Sequence, residues 1–387
     1  MSVLRIPALY MRGGTSKGVF FRTSDLPPAG PERDRILMRV IGSPDRFGKH
    51  IDGMGGATSS TSKVVLLSTS TRPDHHVDYL FGQVAIDRPM IDWSGNCGNL
   101  SAAVGPAAIH LGLLPMPADG RATIRIWQAN IGKTIVASVP IANGEVVEEG
   151  DFELDGVTFP AAEIGLAFLD PAADEEGEGG GGAMFPTGAF VDTIVVPAVG
   201  TVEATLITAG LPTIYVDAAT LGLVGTELQA QVNGERVLLA KVEAIRSHAS
   251  VLFGLTKTAE ESTATRPHTP KLAFVAPPRT YVASDGRTVT ADSIDLCARV
   301  FSMGQLHHAM TGTGAISLAA ASAIPGNVVS RIGRPGADGR VRIGHPSGRL
   351  VVGAEAEQRD GTWVVTKALM SRSARRLMEG SVLVPVT

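Results

Sequence analysis

The 387-residue sequence predicts an α+β fold in which large antiparallel or mixed sheets surround a small number of helices. Many short runs have the alternation or the β-branched content of strands, whereas few segments have helical periodicity. Two of the helical segments, Asn99–Leu111 and Ala315–Ala323, consist mostly of Ala, Gly, Ser and Leu and are slim enough to be surrounded by sheet. The length is about twice that of a typical single domain, which favours two cores over one.

The predicted elements follow the chain in order. The β-type runs are Lys63–Ser70, Val77–Ile86, Ala122–Trp127, Thr134–Val139, Asp192–Pro197, Lys271–Ala276, Val341–Gly344 and Thr362–Leu369. The helix-type segments are Glu32–Ile41, Asn99–Leu111, Arg236–Phe253, Ser293–Met303 and Ala315–Ala323. The helix-type segments other than the two slim ones are amphipathic, and we expect them at the periphery.

A low-complexity segment, Asp174–Met184, lies near the middle of the chain and has a composition that cannot form a packed core. It predicts a boundary between an N-terminal domain of residues 1–183 and a C-terminal domain of residues 184–387, with the last strand free to return to the first domain. The alternative is a long surface loop inside one domain. Each slim helix follows a glycine-rich polar loop, so we expect two related domains whose helix starts face one another.

Composition and charge exclude several classes of protein. Hydrophobic residues make up 44% of the chain and charged residues 19%, as expected of a globular protein with a large core. The formal net charge of −4 provides no basic field for nucleic acid or anionic membrane. The sequence has neither a signal peptide nor a membrane-spanning run, which predicts a cytoplasmic protein. Two distant cysteines exclude a disulfide scaffold and a Cys-rich metal site.

The segment Asp52–Lys63, D-G-M-G-G-A-T-S-S-T-S-K, places glycines and hydroxyl residues directly before a predicted strand. Backbone N–H groups and hydroxyls gathered in this way, including those of Ser60 and Thr61, can bind carboxylate oxygens. Lys63 lies where the loop meets the strand, and burial away from anions would lower its pKa and make it a usable base. The alternative is a solvated surface cation.

Cys97 lies in S-G-N-C-G-N, where the first slim helix is predicted to begin. The unpaired N–H groups at a helix start favour a thiolate, which suits proton transfer or nucleophilic attack. The flanking residues Asn96, Gly98 and Asn99 are poor core formers, and this favours a functional thiol over a buried inert one. Cys297, in contrast, has apolar neighbours at helical spacing, and we expect it to lie in the core.

The segment Met11–Gly18, M-R-G-G-T-S-K-G, does not satisfy the phosphate-binding loop pattern, so we expect it to bind a carboxylate instead. Arg12 can bind a carboxylate through two donors, Ser16 adds a hydroxyl, and Lys17 adds a point charge. The alternative is a turn with a purely structural role.

In the second half, His308, Thr311 and Gly312 open the second slim helix, whose N–H groups can bind a further carboxylate. Ser347, in G-H-P-S-G, is a weaker candidate of the same kind. Two adjacent His pairs, at residues 75–76 and 307–308, lack the spacing of a zinc helix, so we expect no metal.

Three arginines near the end of the chain allow two interpretations. They are Arg372, Arg375 and Arg376. They could form a late basic patch, but a solvated helix end explains them at least as well.

Five motifs, in order and across nearly the whole chain, resemble those of the 2-methylaconitate cis-trans isomerase (PrpF) family. They are M-R-G-G-T-S-K-G, D-G-M-G-G-A-T-S-S-T-S-K, D-W-S-G-N-C-G-N, I-W-Q-A-N-I-G-K and G-H-P-S-G. The resemblance implies a diaminopimelate epimerase-like fold, in which two similar domains each wrap a mixed or antiparallel sheet around a central helix. It also implies catalysis without pyridoxal phosphate, metal or another cofactor.

The resemblance also assigns the catalytic residues. The family's catalytic lysine falls on Lys63 and its cysteine on Cys97. Diaminopimelate epimerases carry a second cysteine in C-G-S-G, but here the motif reads T-G-T-G, with Thr311 in place of the thiol. Racemisation by two thiols is therefore excluded, and Lys63 is expected to act as the base.

The activity implied is conversion of 2-methyl-trans-aconitate to its cis isomer in the methylcitrate cycle, by removal and return of an allylic proton. Alternatives of the same reaction class are 4-oxalomesaconate tautomerase and 3-methylitaconate isomerase. A non-catalytic accessory protein of an iron–sulfur methylcitrate dehydratase is left open, as is a homodimer. The ligand is expected to be a small tricarboxylate. The residues expected to bind it are Arg12, Ser16, Lys17, Ser60, Thr61, Asn96, Gly98, Asn99, His308, Thr311, Gly312 and Ser347.

Overall fold

The computed structural model describes residues 3–172, 183–333, 335–336 and 338–385. The chain groups into two compact units, one formed by Met1–Leu166 with Arg372–Thr387 and one formed by Ala167–Ser371. Of the predicted boundary segment Asp174–Met184, residues 174–182 lie outside the described residues. The predicted division at residues 183 and 184 stays a prediction.

Short strands dominate the first unit. Its helices are α1 (Pro31–Ile41) and α2 (Ser101–His110), close to the bounds predicted from sequence. The strands that begin in this unit are β1 (Val3–Gly13), β2 (Ser16–Arg22), β3 (Lys63–Thr69), β4 (Val77–Val84), β5 (Ile91–Asp92), β6 (Gly120–Gln128), β7 (Lys133–Ala142), β8 (Glu145–Val146) and β9 (Glu163–Leu169).

The sheet of the first unit alternates antiparallel and parallel neighbours. The pairs β1–β2, β3–β4 and β6–β7 are antiparallel, whereas β2–β3 and β4–β6 are parallel. Because side chains alternate along a strand, each strand presents one set to α1 and the other to α2. Val19 of β2 and Val64 of β3 belong to the core around α1. Their neighbours Gly18 and Lys63 therefore face α2.

Helix α2 is enclosed by its sheet. Its residues from Ser101 to Ile109 are all buried. Small residues allow this close approach: a Cβ added to Gly13 of β1 would lie 2.9 Å from the Cα of Leu100 and 3.1 Å from the Cβ of Ala103. The prediction of a slim helix surrounded by sheet is confirmed.

The second unit has five helices and the remaining strands among the described residues. The helices are α3 (Gln229–Val232), α4 (Arg236–Leu252), α5 (Ala259–Thr265), α6 (Gly312–Ala323) and α7 (Val328–Ile332). The strands that begin in this unit are β10 (Asp192–Val196), β11 (Gly200–Ala209), β12 (Leu211–Asp217), β13 (Lys271–Ala276), β14 (Tyr281–Val282), β15 (Thr288–Val289), β16 (Leu296–Ser302), β17 (Gln305–Leu306), β18 (Arg340–His345), β19 (Gly348–Arg359) and β20 (Thr362–Pro385).

The second unit repeats the pairing pattern of the first. The pairs β11–β12, β13–β16 and β18–β19 are antiparallel, whereas β12–β13 and β16–β18 are parallel. Helix α4 follows β12 as α1 follows β2, and α6 precedes β18 as α2 precedes β6. Helix α6 is buried from Gly312 to Ser322. The predicted pair of similar domains, each with a sheet around a central helix, is confirmed.

The predicted helix Ser293–Met303 is wrong. The segment contains strand β16, and every residue of that strand is buried. A strand buried on both faces is a continuous apolar run, and periodicity does not distinguish it from a buried helix. Cys297 lies on this strand and is fully buried in the core around α4, so the prediction that it lies in the core is confirmed.

The interpretation of the late arginines as a helix end is also wrong. Arg372, Arg375 and Arg376 lie in β20, which continues to Pro385 rather than ending near Leu369. The later part of β20 pairs with β1, from the other end of the chain. This pairing stabilises a strand that the local sequence does not reveal.

We expect Gly13→Ala to destabilise the first unit, because the new Cβ would lie 2.8 Å from the carbonyl oxygen of Asn99 at the start of α2. Overpacking of this kind costs roughly 1–3 kcal/mol in free energy of unfolding. The matched control is Gly234→Ala, whose Cβ would meet no atom within 4 Å. Urea denaturation measures both variants, and equal midpoints for the two would contradict the close approach of β1 and α2.

Candidate active site

Lys63 is a buried amine on the α2 face of the first unit. It is the first residue of β3, and only 4% of it is exposed. Its Nζ donates a hydrogen bond to Oε1 of Gln83 at 2.6 Å and lies 4.9 Å from the centroid of the Phe81 ring. Burial lowers the pKa of the Lys63 amine, and a Cys97 thiolate opposes this with a smaller effect. The amine and the thiol therefore lie within electrostatic range of each other.

Gln83 fixes the position of this amine. It is directly opposite Lys63 in the antiparallel pair of β3 and β4 and is fully buried. Its Nε2 donates to the carbonyl oxygen of Ser62 at 3.0 Å, which leaves Oε1 directed at Lys63. No local pattern in the sequence marks Gln83, because its partner Lys63 lies 20 residues away along the chain.

Cys97 lies in the turn that leads into α2 and is 7% exposed. Its carbonyl oxygen accepts a hydrogen bond from the N–H of Ser101, the first residue of α2, and another from the hydroxyl of Tyr79. Its Sγ accepts from the N–H of Leu100 at 3.5 Å. The expected placement of the thiol at the start of α2 is therefore observed.

Arg372 is a second buried cation near this thiol. It is 1% exposed, and its Nε donates to Oδ1 of Asn99 at 3.0 Å. Burial lowers the pKa of Arg372 to about 10, and interaction with Cys97 partly opposes the shift. Lys63 and Arg372 thus both interact with Cys97, and together they favour negative charge in this part of the unit.

Asn99 links this arginine to the first glycine-rich loop. Its Nδ2 donates to Oγ1 of Thr15 at 3.0 Å, while its Oδ1 accepts from Arg372. Neither Arg372 nor Gln83 is among the residues predicted from sequence. Both contacts join segments that are distant along the chain, and for Arg372 only the long strand β20 makes the contact possible.

Two predicted binding residues of the first loop lie on the opposite face of the sheet. Because side chains alternate along a strand, Arg12 lies on the opposite face from Gly13, and Lys17 lies on the opposite face from Gly18. Nη1 of Arg12 donates to the carbonyl oxygens of Gly14 and Ser373, and the ammonium of Lys17 lies 5.3 Å from the ring centroid of Tyr10. Tyr10 packs against the core around α1. The structure therefore does not bring these two cations together with Lys63.

The other predicted residues of the first unit, apart from Ser16, lie near Lys63 or Cys97 along the chain. Ser16 is buried at the start of β2, on the same face as Gly18. The hydroxyls of Ser60 and Thr61 both contact the Thr58 hydroxyl, at 2.9 and 2.7 Å, in the loop before β3. Buried on either side of Cys97 are Asn96 and Gly98. Their binding roles stay predictions.

The predicted residues of the second unit lie around the start of α6. Thr311 caps the helix, with its Oγ1 accepting from the N–H of Gly314, and Gly312 is the first helical residue. Ser347 donates to the carbonyl oxygen of His308 at 2.5 Å, so these two residues are in contact. The His308 ring lies 4.6 Å from that of His307. Their binding roles also stay predictions.

The described residues also bear on the requirements of a metal site and of a membrane-spanning helix. Among the described residues, no group of three or more His, Cys, Asp or Glu side chains is arranged to hold a metal ion. In the same part of the chain, no helix combines the length and apolar character needed to cross a membrane.

Comparison with known proteins identifies the family. The family model described as PrpF protein matches residues 3–385. The chain is 61% identical to a 2-methyl-aconitate isomerase of Cupriavidus necator, over 99% of this chain and 98% of that one. It is 59% identical to a 2-methyl-aconitate isomerase of Shewanella oneidensis, over 99% and 97% of the two chains.

Among solved structures, methylitaconate-delta-isomerase superposes with a TM-score of 0.75 at 36% identity. The superposition covers 99% of this chain and 96% of that one. The predicted fold is confirmed by this match, and the chain belongs to the PrpF protein family.

Proposed function

We propose that this protein is an isomerase that converts 2-methyl-trans-aconitate to 2-methyl-cis-aconitate by allylic proton transfer, with Lys63 as the base. The observation that carries the proposal is a buried amine, held by Gln83 and electrostatically coupled to Cys97. High identity to two 2-methyl-aconitate isomerases supports the choice of substrate.

The first step is removal of a proton by the neutral amine of Lys63. A new N–H bond forms as the allylic C–H bond breaks, and the electron pair of that bond delocalises into the double bond and the adjacent carboxylate. Burial supports this step, because it lowers the pKa of Lys63 and so increases the neutral fraction near neutral pH. The former double bond now has single-bond character and can rotate.

The second step returns the proton. Either the Lys63 ammonium donates it to carbon, or the Cys97 thiol donates and the resulting thiolate then regains a proton from the Lys63 ammonium. The double bond reforms, and the cis isomer is released. Cationic and N–H donors near Cys97, including Arg372, stabilise charge on the carboxylate oxygens in between. Each preorganised donor of this type contributes roughly 3 kcal/mol in comparable sites. The protein's own side chains supply all the acid–base groups that this route needs.

Three further expectations belong to this proposal. The protein acts without a cofactor, it works in the cytoplasm on a product or precursor of the methylcitrate dehydratase reaction, and the binding residues predicted in the first unit, apart from Arg12 and Lys17, contact the tricarboxylate. A homodimer is compatible with this chemistry but is not required by it.

A direct assay separates the proposal from its rivals. The purified protein is incubated with 2-methyl-trans-aconitate, 4-oxalomesaconate or 3-methylitaconate, and ultraviolet absorbance follows isomer formation. We expect the highest kcat/KM with 2-methyl-trans-aconitate. A preference for either other acid would reassign the substrate, and no turnover of any of them would favour a non-catalytic accessory of the dehydratase.

The same assay tests the base. Lys63→Ala should lower kcat at least about 100-fold, because no other amine is held at this position. Lys49→Ala, which removes an exposed lysine of the same unit, is the control and should leave kcat unchanged. Retention of more than about a tenth of the wild-type kcat by the folded Lys63→Ala variant would remove Lys63 as the base.

Gln83→Glu should shift the pH dependence of the reaction to higher pH. A carboxylate next to Lys63 favours the ammonium and raises the pKa of the amine, so a higher pH is needed to reach the neutral base. We expect the acidic limb of the kcat/KM profile to move up by about one pH unit or more, with activity at pH 7 falling about 10-fold.

The control for this shift is Gln128→Glu, because Gln128 is also fully buried and its Nε2 donates to Oδ1 of Asn130. The acidic limb of the kcat/KM profile of this variant should stay at the wild-type pH. An unshifted limb in a folded Gln83→Glu variant would show that the amine next to residue 83 is not the group that titrates in catalysis.

Cys97→Ser tests the thiol as a proton donor. A hydroxyl keeps the hydrogen bond to Leu100 but is a far weaker acid, so we expect kcat to fall roughly 10- to 100-fold with little change in KM. Cys297→Ser removes the core thiol of the second unit and is the control. Wild-type kcat in the Cys97→Ser variant would assign Cys97 to binding alone.

A further inference from the structure

A buried histidine lies two residues before the glycine-rich segment Asp52–Lys63, outside the set predicted from sequence. His50 is 2% exposed. Its Nδ1 accepts a hydrogen bond from the N–H of Ala57 at 3.2 Å, so this nitrogen carries no proton. It can therefore also accept from the hydroxyl of Ser62, 3.4 Å away. The imidazole joins two points of the loop, and one of them directly precedes Lys63.

The surrounding main chain holds this imidazole in place. The N–H of His50 donates to Oδ2 of Asp45 at 2.6 Å. The N–H of Gly55 donates to the carbonyl oxygen of Ile41, the last residue of α1, at 3.0 Å. A Cβ added to Gly55 would overlap Nδ1 of His50, so the loop needs glycine here to approach the ring. The loop thus closes around the imidazole and is attached to the end of α1.

Ser62 connects the imidazole with the proposed base. Ser62 is fully buried, and its carbonyl oxygen accepts from the N–H of Val84 and from Nε2 of Gln83, both at 3.0 Å. Oε1 of Gln83 in turn accepts from Nζ of Lys63 at 2.6 Å. The contacts therefore run from His50 through Ser62 and Gln83 to Lys63, and all four residues belong to the first unit.

We propose that His50 is a positioning residue whose neutral imidazole anchors Ala57 and Ser62 and so holds the Lys63 amine in its buried place next to Gln83. This rests on the proposed function for the reaction that the amine performs. His50 acts on the base only through Ser62 and Gln83, so its effect is on the position and hydration of the amine.

Protonation of the imidazole would remove this anchor. A proton on Nδ1 turns the acceptor into a donor, so the N–H of Ala57 would face another N–H group. The hydroxyl of Ser62 would lose its acceptor in the same step. Activity therefore needs a neutral His50 as well as a neutral Lys63, and both conditions fail as the pH falls.

The charges around the imidazole do not cancel the effect of its burial. Burial lowers the pKa of His50, and the carboxylate of Asp45 opposes the shift with a smaller effect. Arg39 of α1 and Asp52 of the loop form a salt bridge with each other. On the side of β1, the hydroxyl of Tyr10 donates to a carbonyl of the same loop. The imidazole is thus neutral at neutral pH and becomes charged only below its ordinary pKa of about 6.5.

The test compares His50→Leu and His50→Asn with His76→Leu. Leucine fills a similar volume without an acceptor, whereas Oδ1 of asparagine can take the place of Nδ1 and accepts at every pH. His76 is the matched control, because its Nδ1 also accepts from a backbone N–H of the first unit, that of Arg125 at 2.9 Å.

The first measurement is kcat/KM for 2-methyl-trans-aconitate from about pH 4.5 to about pH 9. We expect His50→Leu to lower kcat/KM at least about 10-fold at about pH 8, and His50→Asn to stay within about threefold of wild type. At its acidic end the wild-type logarithmic profile should reach a slope of about 2, because two groups must lose a proton. The slope should be about 1 in His50→Asn and about 2 in His76→Leu.

The second measurement is the pKa of the Lys63 amine, by nuclear magnetic resonance of protein labelled with ¹³C-lysine. The signal is assigned by its absence in Lys63→Ala. We expect His50→Leu to raise this pKa by about one unit or more, because a loosened loop admits water to the ammonium. His50→Asn and His76→Leu should leave it unchanged. This measurement needs no turnover, so a protein that isomerises none of the acids would refute the proposed function while the role of His50 is still decided.

Three results would overturn the proposal. One is an unchanged kcat/KM and an unchanged Lys63 pKa in folded His50→Leu. Another is a loss of kcat/KM with the Lys63 pKa unchanged, because the effect would then not reach the amine. The third is a slope of about 2 in His50→Asn. This last result decides the matter if the leucine variant fails to fold.

Discussion

The burial of one amine organises the chemistry of the first unit. An ammonium loses hydration when it leaves water, so a buried lysine tends towards its neutral, basic form unless an anion compensates. Lys63 has a neutral acceptor, Gln83, as its closest hydrogen-bond partner, and the aromatic ring of Phe81 next to it. This environment holds the amine in place without fixing it in the charged state. Cys97 opposes the shift only in part, so the amine keeps the character of a base.

The alternation of side chains along strands decides which polar residues share this environment. Lys63 and Gln83 face α2 because the intervening positions of β3 and β4 fill the core around α1. The same rule separates Arg12 and Lys17 from Lys63, although they lie in a loop rich in suitable donors. A shift of one residue in the strand register would exchange the side chains that face α2 with those that fill the core around α1. The hydrophobic pattern of the sheet therefore specifies the active-site chemistry as well as the core.

Much of the fold could be predicted from sequence, and part of the candidate site could be proposed from it. Local features sufficed for Lys63 and Cys97, because a glycine-rich loop followed by a strand or a slim helix is visible in a short window. Gln83 and Arg372 required a partner distant along the chain, so no local pattern identifies them. The strand β16 was mistaken for a helix for a related reason, since burial on both faces depends on tertiary neighbours rather than on periodicity.

The repeated topology places a cysteine at the start of α2 and a threonine at the start of α6. An enzyme that inverts a carbon centre needs acids and bases on two sides, because the proton leaves one face and returns to the other. Isomerisation about a double bond needs only one base, since rotation of the delocalised intermediate changes the geometry. The start of α6 therefore does not need an acidic or basic side chain. Thr311 keeps the capping hydrogen bond that Cys97 makes but not its acidity, as expected where a second acid is not needed.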